Sequence, residues 1–569
     1  MSTTKYLPHP DPFMYLLLMF CVIMSPSANP GRRNIYTDRT NVNCDRSLPH
    51  GLLVSCHKSQ LEEPLAWHSS VIVHGATNYK YYKPLFMKDV TDATSSLPSL
   101  RPLRSAGILE QYAYVRTELG FDTCIIVAAR YERSTGIPLD RDTIFSALEN
   151  VINHHTALTS CLVSVSLVDS GAQARPRSWM LLPSIDLEAA VTFCGDDAGP
   201  LASVLEAQLS LPFDLDAQRP LWRITVFPDG TVVFAYDHSM GDGQSGLAFH
   251  LHLLDALQIV PDKPPRHEGR IVVNPTSASL APLLEDLIAL PAPFARVIHE
   301  VFDALNPFSR RKRASTWTGY PVSKDPGLSV HVRIIHLSAQ ETARILQRCR
   351  THHATVTGAL YTIATHVLAH LLNRGGARPR YDSIDVAVAT SLRRFVGVSP
   401  ATICNCVSGY AALHHLPAPR PPTTPASPRL SNFPWEHAQA FSATLALEAP
   451  QSPALIGVLR RIFGQDYEGF FRGQLGKKRE HSLEISNLGR VPPQPATGQG
   501  DDATRWKIRE TVFAQANGAL GAALKVNVTG TPEGGLGLAI TWGVGAVDGE
   551  LAEDFVMGLT EGLKELACA

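Results

Sequence analysis

Two strand patterns, Trp222 to Phe227 and Thr231 to Tyr236, are joined by the turn Pro228-Asp229-Gly230. Three turn residues containing a glycine mark an antiparallel hairpin. That hairpin constrains what comes next. The chain must leave its sheet at Tyr236 and enter Asp237-His238-Ser239-Met240-Gly241-Asp242-Gly243. A helix pattern then runs from Leu247 to Leu257. His238 is thus delivered at a strand exit, where a side chain is rigidly held and can face a cavity. Asp242 can fold back to orient it, and Gly243 allows backbone angles closed to other residues.

Three readings of this stretch compete. One is a solvated turn with a structural His–Asp contact. The chain carries such a control in His299-Glu300-Val301-Phe302-Asp303, which has the same spacing but no glycine after it and suits a surface i,i+4 pair. A second reading is a dinucleotide fingerprint, since Gly241-Asp242-Gly243-Gln244-Ser245-Gly246 is a literal Gly-x-Gly-x-x-Gly. That fingerprint opens a parallel βαβ unit, whereas this strand already closes a hairpin, and Asp242 would repel a pyrophosphate. The third reading is a general base. No Gly-x-Ser-x-Gly elbow or His-Glu-x-x-His metal motif occurs. A base without its own nucleophile fits a reaction whose second substrate supplies one, such as an alcohol attacking a thioester.

Taken in order, residues 1–99 read as an extension with poor periodicity. Within it Phe13 to Met24 is an apolar run after Lys5 and before Ser25-Pro26-Ser27-Ala28. The run suits a signal-peptide core and is short of the roughly 20 residues of a membrane span. It reads equally as a targeting or anchoring segment or as an extension with neither role.

Helices are expected over Ala106–Leu119, Asp140–His154, Gln340–Cys349, Thr355–Leu372 and Leu551–Leu566. Strands are expected over Cys124–Ala129, Ala157–Val163, Val330–Leu337, Ile384–Ala389 and Leu483–Ile485, with a hairpin of Ala522–Thr529 and Leu536–Trp542. Both halves mix hairpins with crossovers, which predicts α+β layers. The expected division is 100–260 for a first domain, 261–326 for a crossover bearing Arg310-Arg311-Lys312-Arg313, and 327–569 for a second. Leu416 to Leu430 reads as a proline-rich loop.

The formal net charge of −1 argues against a nucleic-acid partner. Ten scattered cysteines include no Cys-x-x-Cys, so no zinc site and no disulfide framework is expected, only reduced and mostly buried thiols.

His238-Ser239-Met240-Gly241-Asp242-Gly243 resembles the His-x-x-x-Asp-Gly signature of the coenzyme A-dependent acyltransferase superfamily. Other segments match in order: Pro212-Phe213-Asp214 with Pro220-Leu221-Trp222-Arg223, then Ser391-Leu392-Arg393-Arg394, then Asn405-Cys406-Val407-Ser408-Gly409-Tyr410. Ser486-Asn487-Leu488-Gly489 and the Ala522–Trp542 hairpin complete the set, which looks most like the fungal alcohol O-acetyltransferase branch. Two departures narrow it. Plant-type members carry Asp-Phe-Gly-Trp-Gly where this chain has Thr541-Trp542-Gly543-Val544-Gly545. Peptide-condensing domains usually place a second histidine where Asp237 stands.

The resemblance implies two chloramphenicol-acetyltransferase-like domains, each a mixed sheet with helices, and an active-site channel at their interface. It implies acetyl or short-acyl transfer from acetyl-CoA to an alcohol hydroxyl, with His238 as base and no acyl-enzyme. The alternatives are amide-forming condensation or a catalytically inactive ligand-binding homologue. Asp242 is expected to pair with an arginine, Arg393 first and Arg394 second, and Gly243 to permit close backbone approach. Ser486 or Asn487 would supply an oxyanion donor. Trp542 and Asn517 are further pocket candidates, and Lys477-Lys478-Arg479 could attract cofactor phosphates. No metal is expected. The expected protein is an intracellular monomer, cytoplasmic or endoplasmic-reticulum associated, with peripheral or N-terminal membrane association open.

Overall fold

In the computed structural model every residue of Thr231–Tyr236 is buried, because the strand lies in the middle of a sheet covered on both faces. The structure describes residues 100–568 except 134–135, 137, 165–176, 292–313, 375–380, 418–432, 463–465, 493–504 and 517. The run Phe13–Met24, the pair His299/Asp303, Arg310–Arg313, Asn517 and most of the proline-rich loop lie outside them. Among the described residues no single helix is long and apolar enough to cross a membrane.

The first large sheet has the strand order Trp506–Gln515, Ile125–Arg133, Thr231–Tyr236, Trp222–Val226, Val191–Phe193. All neighbours are antiparallel except the last pair. Successive strand residues face opposite sides. Val232, Phe234 and Tyr236 therefore join one core with Ile125, Val127 and Tyr131, while Val233 and Ala235 join another with Ile126, Ala128, Val332 and Ala539. Burying such a large apolar side chain contributes about 1.5–3 kcal/mol relative to exposure. Tyr236, Ile125, Gln515 and Trp222 share one row at the end of this sheet.

The second large sheet runs Thr316–Trp317, Ser383–Ser391, Leu483–Arg490, Leu524–Gly530, Leu536–Gly543, Val330–Leu337, with Val407–His415 antiparallel to Ser383–Ser391. Its inner strands are parallel and its Leu524–Gly530/Leu536–Gly543 hairpin is antiparallel. The helices Val356–Asn373 and Gly549–Cys568 share a core with it through Leu360, Ile363, Val367, Phe555, Leu559 and Leu563.

Several expectations change on contact with the fold. Ala157–Val163 does not start as strand: Thr156–Thr159 is a 3-10 turn, because the hydroxyls of Thr159 and Ser160 donate to the Thr156 carbonyl at 2.9 and 2.7 Å. Strand covers only Ser160–Ser164. The helix after His238 begins at Gly243 rather than Leu247, since Asp242 caps it by accepting from the Ser245 N–H at 3.3 Å. The span 261–326 is not crossover alone, because its Arg270–Val272 pairs with Ser184–Asp186. The division at 327 does not separate the sheets either: Trp506–Gln515 leaves the later half and pairs with Ile125–Arg133 of the earlier one.

Candidate active site between the two sheets

Tyr236 ends its strand with its hydroxyl donating to the Asp242 carbonyl at 2.6 Å and accepting from the Gly246 N–H at 3.0 Å, which fixes both ends of the loop. Asp237 is fully buried and is the loop's internal anchor. Its carboxylate accepts from Thr117 Oγ1 at 2.6 Å and from the Ser239 N–H at 2.8 Å. Burial pushes the Asp237 carboxyl upward, against the Ser239 and Thr117 hydrogen bonds. It is a structural residue of the turn.

His238 is half-buried and lines a cavity of about 230 Å³. Asn405 Nδ2 donates to the His238 carbonyl at 2.9 Å and lies 3.4 Å from His238 Nδ1. The histidine is thus held from the far side of the molecule. Asn405 belonged to a matched segment, but no sequence signal assigned it to His238.

Asp242 is buried, and Arg393 Nη1 donates to its two carboxylate oxygens at 2.8 and 2.6 Å. The Cys406 N–H donates to Asp242 Oδ2 at 2.9 Å. Arg393 Nη2 donates to the carbonyls of Thr402 and Cys404 at 3.2 and 3.0 Å and to Ser245 Oγ at 3.2 Å. Burial works against the Arg393 charge, yet Asp242 raises its pKa overall. Arg394 is exposed and lies over the Phe395 ring, so it takes no part in this pair.

A Cβ on Gly243 would come 2.5 Å from Leu488 Cδ2 and 3.0 Å from Phe513 Cζ. A larger residue here would have to push the ends of Leu488 and Phe513 aside. Gln244 Nε2 donates to the Leu488 carbonyl at 2.6 Å in the same contact. A Cβ on Gly246 would come 2.3 Å from Val127 Cγ2, so this glycine lets the helix pack against the sheet.

The opposite cavity wall is formed by Ala387–Ala389, Val407–Gly409, His481, Glu484 and Ser486, with Phe513 and Gln515 from the crossing strand. Ser486 lines the cavity. Asn487 does not: its Nδ2 donates to Thr357 Oγ1 at 3.1 Å and its Oδ1 accepts from the Gly489 N–H at 2.9 Å, a turn-forming arrangement. Trp542 does not face the cavity either. It is 3% exposed in the second core, with the Arg333 guanidinium over its ring. In Lys477-Lys478-Arg479 the last two are occupied: Lys478 Nζ donates to the Thr316 carbonyl and Arg479 to those of Tyr320, Ala519 and Gly521.

A charged pair on this wall has no signal in the local sequence. His481 Nδ1 lies 2.5 Å from Asp385 Oδ1. Burial opposes its charge, but the Asp385 hydrogen bond and nearby Glu480 and Glu484 lift its pKa to about 9. Glu484, 3.2 Å from Lys525 Nζ, is held low by that lysine against the effect of its burial.

Two mixed sheets, exchanging a strand and enclosing a cavity, define the chloramphenicol-acetyltransferase-like acyltransferase fold. The solved trichothecene 15-O-acetyltransferase TRI3 of Fusarium sporotrichioides superposes with a TM-score of 0.59 at 13% identity, covering 83% of this chain and 100% of that one. The chain belongs to the alcohol acetyltransferase family, whose family model matches residues 201–559 of 569, and it is an acyltransferase. The probable alcohol acetyltransferase crmB of Aspergillus fumigatus is 24% identical over 478 residues, 78% of this chain and 96% of that one. The probable alcohol acetyltransferase FCK4 of Fusarium pseudograminearum is 25% identical over 418 residues, 69% of this chain and 80% of that one.

Proposed function

We propose that this chain moves an acetyl or other short acyl group from acyl-CoA to an alcohol hydroxyl in the cavity between the sheets. One observation carries the reading: His238 lines the cavity while its loop is anchored on both sides, by Asp237 to Thr117 and by Asp242 to Arg393. In this reading a ring nitrogen of His238 takes the acceptor's hydroxyl proton as its oxygen attacks the thioester carbonyl. The carbon–sulfur bond then breaks and the proton passes to the departing thiolate. Ester and free thiol are the products, and no acyl-enzyme forms.

Asp242 is assigned a positioning role, because both carboxylate oxygens are engaged by Arg393 and the Cys406 N–H. Ser486 is the candidate oxyanion donor on the facing wall. Asp237 tied to Thr117 and Ser239 leaves no second histidine beside His238, which favours alcohol acylation over amide-forming condensation.

The test is to incubate the full chain with acetyl-CoA and panels of alcohols and amines. Free thiol is followed by colour and products by mass spectrometry. Alcohol-dependent thiol release with an acetyl ester as product is expected. Acetamide formation with amines and no ester from any alcohol overturns the reading.

A further inference from the structure

The helices Arg141–His154 and Gly243–Ile259 pack side by side. Three imidazoles meet between them. His154 ends the first helix, His155 is its C-terminal cap, and His252 lies on the second. Their ring centroids are 4.5 to 4.8 Å apart. One nitrogen from each ring lies within 4.8 Å of the other two. His155 Nε2 and His252 Nδ1 face each other at 2.5 Å. His155 is buried, His252 half-buried and His154 exposed. His154 and His155 also border a cavity of about 250 Å³ that shares no lining residue with the one at His238.

Two facing ring nitrogens can share only one proton between their lone pairs. On a shared tetrahedral ion at the zinc–imidazole distance of about 2.0–2.1 Å the ring nitrogens stand roughly 3.3 Å apart, so His155 and His252 open from 2.5 Å while His154 draws in, movements on the order of 1 Å. Rotation of side chains supplies movement of that size. Imidazole nitrogens suit zinc and neighbouring transition metals, and three protein ligands leave a fourth position for water.

We propose that His154, His155 and His252 form a binding site for a divalent transition-metal ion of the zinc type. The ion takes the place of the proton between His155 and His252, and that proton moves to the other nitrogen of its own ring, so each ligand stays a neutral imidazole. The site links the helix capped by Asp242 to its neighbour and stands apart from the acyl-transfer chemistry. No motif announces it, because the ligands come from two helices about a hundred residues apart in sequence.

The full chain, stripped of metal, is titrated with zinc chloride by calorimetry, with bound zinc counted by mass spectrometry and cobalt(II) used as an absorbance probe. One zinc per chain and a raised Tm are expected. His154→Ala and His252→Ala are each expected to weaken binding by at least the roughly 10–100-fold that loss of an outer-shell partner alone costs. The exposed His154 keeps the test valid if His252→Ala misfolds. Zinc bound equally by the parent and His154→Ala, as by the chain's other histidines, overturns the site, as does the absence of stoichiometric binding to the parent.

Discussion

Asp242 and Arg393 are both almost fully buried, so their charges stabilise the fold only as a pair. Asp242→Asn leaves Arg393 with an uncompensated buried charge and is expected to cost about 3–5 kcal/mol in urea unfolding. Replacing both partners by apolar residues of similar volume should recover much of that loss. His481 predicts a pH signature. Its folded pKa of about 9 lies above the ordinary 6.5, so its contribution is complete below about pH 6.5 and is lost as pH rises through 9. The Tm difference between the parent and His481→Gln should therefore shrink over that interval; a difference that stays constant would rule out the charged pair. The local part of this site was legible in the sequence, since Asp242 follows His238 by one turn of chain. The remote part was not. Asn405 lies 167 residues from His238 and Asp385 lies 96 from His481, and no local spacing records such contacts.

Two glycines contrast in how elements meet at them. A Cβ on Gly537 would lie 2.1 Å from the Thr511 carbonyl oxygen, which belongs to the crossing strand's backbone and cannot swing aside. A Cβ on Gly243 meets the flexible end of Leu488 first. Gly537→Ala is thus expected to destabilise by more than Gly243→Ala, with about 1–3 kcal/mol for the latter. Leu488→Ala should relieve part of the Gly243→Ala cost, as read by thermal melts of the single and double variants. Elements with clean patterns were legible: the apolar run of Thr231–Tyr236 and the alternation of Val330–Leu337 both form strands as expected. The crossing strand Trp506–Gln515 was not read, because a bulge between Ile508 and Glu510 breaks its alternation. Val407–His415 was missed because it is half-buried on both faces and shows no apolar stripe.

At the scale of the whole molecule, the exchanged strand makes the two halves interdependent. Without Trp506–Gln515 the strand Ile125–Arg133 becomes an open edge lined by buried apolar residues, a template for aggregation. Residues 98–326 expressed alone are expected to be insoluble, and co-expression with 327–569 to restore soluble protein. Soluble, folded 98–326 on its own would contradict that dependence. The same exchange places Phe513 and Gln515 in the cavity beside His238, so folding and site assembly are one event. The central claim is that His238 acts there as the base for direct acyl transfer. Its most direct measurement is the rate of alcohol-dependent thiol release from acetyl-CoA by His238→Ala at saturating substrates, with Tm recorded alongside. The account predicts a fall of about 100-fold or more with Tm unchanged; a rate equal to the parent's in a folded variant would contradict it.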